Sequence, residues 1–141
     1  MLAVAAAPVA AAAVGMLLAL FGLAGLHPFW RETPLTLPEA VALRSGWDVV
    51  VQLRRGVDPN APLPVRRWIV DAGRDELSAW EAAVAADRAD VIQLLAREGA
   101  RLTPEIARAA LCLGQARDRR ESVAALVRLF HVDAAQSCAP Q

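Results

Sequence analysis

The chain contains a set of apolar stripes that have helical spacing but are very short, and this limits the folds that it can adopt. In residues 77–100, LSAWEAAVAADRADVIQLLAREGA, the stripe is interrupted at Ala86-Asp87-Arg88 and ends at Gly99. Ser78 is a residue type that caps helix N-termini, and Asp tolerates the left-handed conformation of a tight turn. We therefore predict two antiparallel helices here instead of one. A pair of this size cannot bury its own apolar face, so it must stack against similar pairs.

Two further segments show the same order of helix, break and helix. The first, residues 39–62, is interrupted at Ser45-Gly46, and Gly56 ends its apolar run. The second begins at Thr103-Pro104-Glu105, a helix start with proline at the first helical position. Gly114 is predicted to stop its first helix, and its second helix is predicted over residues 121–130.

Residues 62–76, PLPVRRWIVDAGRDE, separate the first two pairs and are called the spacer below. The spacer contains two prolines and has no long apolar face, which predicts a loop around one helical turn. A loop of this length in a compact domain usually has a function or is disordered.

The segment from Ser78 resembles an ankyrin repeat. That family's repeat opens with T-P-L-H-x-A-A, has Gly at its inter-helix turn, continues with V-V-x-L-L and closes with G-A-D. At the matching positions this chain has Ser78-Ala79-Trp80-Glu81-Ala82-Ala83, Asp87, Val91-Ile92-Gln93-Leu94-Leu95 and Gly99-Ala100. RRGVDPNAP in the preceding unit and Thr103-Pro104 in the following one are also similar to the family. The resemblance implies one good repeat at about residues 78–102 and two degenerate ones; a plain antiparallel helical bundle is the competing interpretation.

The N-terminal segment has a different composition, because residues 2–26 carry no charge and every charged side chain falls at or after Arg31. As a helix it would span roughly 37 Å, more than the hydrocarbon thickness of about 30 Å. It lacks a basic start and exceeds the usual length of a signal-peptide core. We therefore predict an uncleaved membrane anchor, with a cleaved signal peptide as the alternative. Ala11, Gly15 and Ala19 form a small-xxx-small pattern that allows close packing of membrane helices.

The predicted fold class is therefore all-α, with a single N-terminal transmembrane helix followed by a short ankyrin-like stack of helix-turn-helix units. The predicted segments are the anchor at 1–30, a linker at 31–36, the repeat domain at 37–131 and a flexible tail at 132–141. Arg31 and Arg44 follow the predicted anchor and no arginine precedes it, so the positive-inside tendency places the C-terminal domain in the cytoplasm.

The two cysteines, Cys112 and Cys138, have no CxxC spacing and no nearby histidine. We interpret them as separate thiols, one in a helix and one in the tail, which suits a reducing cytosol. A disulfide or a metal site is the alternative.

The sequence contains little that indicates catalysis. His27 and His131 have no partner at the spacing of a triad or a metal site, and no Gly-rich phosphate loop follows a strand. We predict no enzymatic activity, no catalytic residue, no metal, no cofactor and no small-molecule substrate. The 15 arginines are balanced by 15 acidic residues, which argues against nucleic acid as a partner.

Binding of another protein is what the residues favour. Tryptophan and arginine dominate interface hot spots, and Trp68 lies in the Arg-rich spacer outside any apolar stripe. Partners of ankyrin-like proteins usually meet the turn tips and the inner helices, so the resemblance implies contacts at the tips as well. The predicted partner-binding residues are Trp68, Arg66, Arg67, Asp58, Asn60 and Arg101.

We therefore predict a membrane-anchored protein–protein interaction module. Its expected partners are a membrane-associated protein and, through residues 2–26, the lipid bilayer. The alternative is a structural accessory subunit of a larger membrane protein complex.

Overall fold

The computed structural model describes residues 14–20, 33–132 and 138. The chain divides into two compact units, Met1–Pro34 and Leu35–Gln141. In the first unit residues 14–20 are helical. Gly15 and Ala19 of the predicted membrane-packing pattern lie in this helix, whereas Ala11 lies outside the described residues.

The structure corrects the predicted transmembrane helix. Within the described ranges no helix is long and apolar enough to cross a membrane. The rest of the predicted span at 2–26 lies outside the described residues. The fold class that begins with a transmembrane helix is therefore wrong.

The second unit contains six helices and one short ribbon among its described residues. The helices are α1 (Leu37–Ala42), α2 (Gly46–Arg54), α3 (Ala79–Ala85), α4 (Ala89–Arg97), α5 (Pro104–Ala116) and α6 (Arg120–Phe130). Between α2 and α3, strand β1 (Leu63–Pro64) pairs antiparallel with β2 (Glu76–Leu77), with Leu63 opposite Leu77 and Pro64 opposite Glu76. The ribbon is a second correction to the all-α prediction. It forms because the two ends of the spacer leave and rejoin the stack side by side, and two-residue strands are too short to show an alternating pattern.

Each helix pair turns at one residue in the left-handed conformation. These residues are Arg44, Asp87 and Asp118, with φ of 59°, 54° and 54°. The predicted break at residues 86–88 is confirmed, since α3 ends at Ala85 and α4 begins at Ala89. At the Asp87 turn the side chain also accepts a hydrogen bond from Ser122 Oγ of α6 at 2.8 Å, so this turn is joined to the next helix pair.

The three helix pairs stack in chain order. The first helices of the pairs, α1, α3 and α5, pack against one another in a row, and α4 packs against α6 beside them. Every residue of α1 and α3 is buried. Trp80 of α3 is fully buried and meets Phe130 of α6 edge to face, with ring centroids 5.1 Å apart. The apolar faces of the short helices are thus covered by the neighbouring pairs.

The sequence predicts that Gly114 ends α5, but in the structure this glycine lies inside the helix. A Cβ atom at Gly114 would lie 2.5 Å from Val123 Cγ2 of α6 and 2.9 Å from Val84 Cγ1 of α3. The glycine therefore permits close contact of three helices, a requirement that a helix-breaker rule cannot detect.

The two cysteines also differ from the prediction of separate thiols. Cys112 of α5 is bonded to Cys138, across a sequence separation of 26 residues. Cys138 lies in the predicted tail, of which the structure describes only Val132 and Cys138. The chain after α6 therefore returns to α5, a contact that sequence spacing does not reveal.

Replacing Gly114 by alanine should destabilise the folded unit. Overpacking typically costs about 1–3 kcal/mol, and the better helix propensity of alanine offsets only about 1 kcal/mol. Urea unfolding of the full chain measures the change. Gly46→Ala is the matched control, because its Cβ would meet only Leu94 Cδ2 at 3.7 Å; equal stability of the two variants would contradict the close packing.

Replacing both cysteines by serine should lower the free energy of unfolding by about 3 kcal/mol, because the unfolded chain regains the entropy of the closed loop. The measurement is urea unfolding of the native chain and of C112S/C138S, with and without dithiothreitol. The reductant should destabilise the native chain and leave the variant unchanged. If the free energy of unfolding of the native chain were the same with and without dithiothreitol, the disulfide would be contradicted.

Candidate interaction surface

The first half of the spacer is fixed to α1 by one arginine. The backbone N–H and Nε–H of Arg66 donate to Glu39 Oε1 at 2.8 and 2.7 Å, and Nη2 donates to Oε2 at 2.7 Å. The Glu39 side chain is only 2% exposed. It also accepts from the backbone N–H of Thr36, 3.1 Å away, at the start of α1. One buried carboxylate therefore caps a helix and holds the spacer.

The second half of the spacer is fixed to α3 in the same way. Arg74 Nη2 donates to Glu81 Oε1 at 2.7 Å. The other oxygen of this buried carboxylate accepts from the backbone N–H and the hydroxyl of Ser78, both at 2.9 Å. Glu81 thus caps α3 and also holds the second half of the spacer, just as Glu39 caps α1 and holds the first half.

A third contact joins the spacer to the last helix pair. Arg117, which follows α5 directly, donates from Nη1 to the carbonyl oxygen of Asp71. Between these contacts Val65, Val70 and Ala72 are buried in the common core. The spacer therefore lies against all three helix pairs at their first helices, and it packs as part of the domain.

Trp68 of the spacer is exposed to solvent. It is a large hydrophobic residue, and its relative accessible surface is 78%. The guanidinium carbon of Arg66 lies 5.2 Å from the centroid of its ring, within the range of a cation–π contact. Because Glu39 holds Arg66 through both carboxylate oxygens, the indole rests on a cation that is itself fixed.

Arg67 lies beside Trp68 and pairs within the spacer. Its Nε and Nη2 donate to the two carboxylate oxygens of Asp75, at 2.6 and 3.2 Å. The hydrogen bonds and the opposite charge lower the pKa of Asp75 and raise that of Arg67. Both side chains are about two-thirds exposed, so this pair presents both signs of charge to solvent next to the tryptophan.

The three other predicted residues form a separate group, the tip cluster of Asp58, Asn60 and Arg101. Asp58 Oδ1 accepts from the backbone N–H and Nδ2 of Asn60, at 2.9 and 3.3 Å. Asn60 Nδ2 donates to the carbonyl oxygen of Arg101 at 2.8 Å, and Asn60 Oδ1 accepts from the N–H of Thr103 at 3.3 Å. Asn60 thus joins two successive turn tips, so its contacts are explained by folding. The six predicted residues divide between the spacer and this cluster.

Sequence analysis missed the residues that hold the surface in place, namely Glu39, Glu81, Arg74 and Arg117. The patterns Thr36-x-x-Glu39 and Ser78-x-x-Glu81 are those of capping boxes, in which the glutamate accepts from the backbone at the start of the helix. They do not predict that the same carboxylates bind arginines of the spacer. In the described part of the chain, no group of three or more His, Cys, Asp or Glu could hold a metal ion.

Glu39 is kept ionised by its partners. Burial alone would raise its pKa, but the hydrogen bonds from Arg66 and Thr36 and the charge of Arg66 outweigh burial and lower it. The folded-state pKa therefore lies below the ordinary value of 4.5. Its contribution to stability is fully present above that value and is lost as the pH falls through the folded-state pKa.

Glu39→Gln should lower the free energy of unfolding at pH 7 by about 2 kcal/mol, because charge-assisted hydrogen bonds to a buried group are lost. The variant should also lose less stability than the native chain when the pH falls from about 5 to about 3. Urea unfolding at each pH measures both effects. Glu105→Gln, at an exposed position of α5, is the control and should stay within about 0.5 kcal/mol. Parallel pH profiles for native and Glu39→Gln chains would contradict the assignment.

Comparisons with protein-family models, with curated proteins and with solved structures found no match for this chain. The resemblance to ankyrin repeats therefore stays a prediction.

Proposed function

We propose that residues 35–132 form a protein–protein interaction module whose contact surface is the spacer, with Trp68 at its centre. The observation that carries the proposal is that Trp68 is 78% exposed and yet held against Arg66. Tryptophan side chains are highly buried on average, and Trp68 departs from that average. Tryptophan and arginine are also the residue types that contribute most binding energy at protein interfaces.

The fixed position of the tryptophan supports the proposal. A side chain that is ordered before binding loses less entropy when a partner arrives. The indole rests on Arg66, Arg66 is held by the buried Glu39, and Glu39 belongs to α1. This chain of contacts holds a hydrophobic surface in the geometry that a partner would meet.

The burial of the first helices supports the spacer as the contact surface. Partners of ankyrin-like proteins usually meet the inner helices. Here every residue of α1 and α3 is buried, and the spacer lies against their N-terminal ends through Glu39 and Glu81. A partner that approaches this side of the first two helix pairs would therefore meet the spacer.

The function predicted as an alternative, an accessory subunit of a membrane complex, rests on residues 2–26. Most of that segment lies outside the described residues, and no contact of residues 35–132 favours it.

The proposal is tested by comparing two tryptophans of equal exposure. Trp47 at the start of α2 is also 78% exposed, but no cation–π contact holds it among the described residues. The full chain, Trp68→Ala and Trp47→Ala are each purified from the native host under mild conditions, and the accompanying proteins are quantified by mass spectrometry. Circular dichroism and urea unfolding establish that both variants fold.

Trp68→Ala should lose the specific companion, and its Kd for that purified companion should rise about 30-fold, as for a hot-spot residue that contributes about 2 kcal/mol. Trp47→Ala should bind as the native chain does. Equal losses in both variants, or a native chain with no specific companion, would overturn the proposal.

A further inference from the structure

The disulfide uses every cysteine of the chain. The sequence contains two cysteines, Cys112 and Cys138, and they are bonded to each other. No thiol is left for catalysis or exchange within the chain, and the described residues contain no group that would hold a metal ion. The bond is therefore best explained as a structural crosslink.

The crosslink lies at the C-terminal end of the stack. Among the helices of residues 33–132, the α5–α6 pair packs against the α3–α4 pair and is the last pair of the stack. Terminal units of repeat stacks must be stabilised separately, because they lack one of the two interfaces that internal units have. The bond ties the chain beyond α6 to the middle of α5. It therefore restrains a helix pair that stacking stabilises on a single side.

The crosslink is also accessible to solvent. Cys112 is half-buried and Cys138 is exposed, so thiols in the surroundings can reach the bond. Reductants of the cytosol keep such cysteines reduced, whereas secreted, periplasmic and cell-surface proteins retain their disulfides. A structural bond with this exposure would not persist in a reducing cytosol.

We infer that the folded unit matures and acts in an oxidising compartment, on the far side of the cytoplasmic membrane. This location is opposite to the one that the arginine distribution predicts, which depends on Arg31 and Arg44 alone. The inference stands on the disulfide and does not require the proposed function. If the proposed function also holds, the partner of the Trp68 surface is a protein of the same compartment.

Formation of the bond requires a protein oxidant that carries an accessible disulfide. The thiolate of Cys138, the more exposed cysteine, attacks one sulfur of that disulfide. A mixed disulfide forms and the other sulfur of the oxidant leaves as a thiolate. The thiolate of Cys112 then attacks the Cys138 sulfur, which releases the oxidant. In total the two cysteines lose two protons and two electrons, and the oxidant becomes a dithiol.

The test is thiol trapping of the full chain in its native host. Cells are quenched with acid, the free thiols are alkylated with a maleimide of about 5 kDa, and the chain is detected on a gel before and after reduction. We expect no adduct before reduction and two adducts after it. Two adducts without prior reduction would show free thiols in the cell and would overturn the inference.

A single-cysteine variant distinguishes the compartment from the bond. Cys112→Ser leaves only the exposed Cys138, which is offered a membrane-impermeant maleimide in cells whose cytoplasmic membrane is intact. Labelling before lysis supports the inference, and labelling only after lysis overturns it even if the native chain is oxidised. If the variant does not accumulate, the accessibility of the native chain to an added protease is measured in the same cells instead. Digestion before lysis is then the supporting result, and protection until lysis the opposing one. None of these measurements depends on a binding partner.

Discussion

The bidentate contact between Arg66 and Glu39 is the interaction on which the rest of the described surface depends. Glu39 is almost fully buried, and its cost of burial is met by hydrogen bonds from Arg66 and from the start of α1. Because a buried carboxylate without such partners would be strongly unfavourable, the spacer cannot leave without destabilising α1. The position of Trp68 follows from the same contact, since its indole rests on the arginine. Folding of the first helix pair and presentation of the aromatic side chain are therefore coupled.

The stack tolerates such short helices because its first helices are packed closely and covered on all sides. Helices of six or seven residues, such as α1 and α3, are too short to be stable alone. Their residues are buried by the neighbouring pairs and by Val65, Val70 and Ala72 of the spacer. Gly114 serves the same requirement where α3, α5 and α6 meet. The spacer is thus a structural part of the stack as well as the support of the candidate surface.

The disulfide changes what the chain implies about its surroundings. The arginine distribution favours the cytoplasm, whereas a solvent-accessible bond between Cys112 and Cys138 favours an oxidising compartment. The bond has a direct structural role, since it restrains the last helix pair of the stack. It also gives Cys138, in a C-terminal segment without helical periodicity, a role in stabilising the fold. A location inferred from the bond and a function inferred from Trp68 rest on different residues and can fail separately.

Local features could be predicted from the sequence: the capping residue Ser78, the break at residues 86–88, and the helical stripes on either side of it. These are set by neighbours within a few positions, so spacing and residue type are sufficient to predict them. Other features are seen only in the folded chain: which arginine meets Glu39 or Glu81, that Cys112 meets Cys138, that Gly114 continues its helix, and that the spacer ends pair as a ribbon. Each of these features depends on contacts between residues that are far apart along the chain or on different helices. Whether such groups meet depends on how the helix pairs stack, and the stacking cannot be predicted from residues that are close together in the sequence.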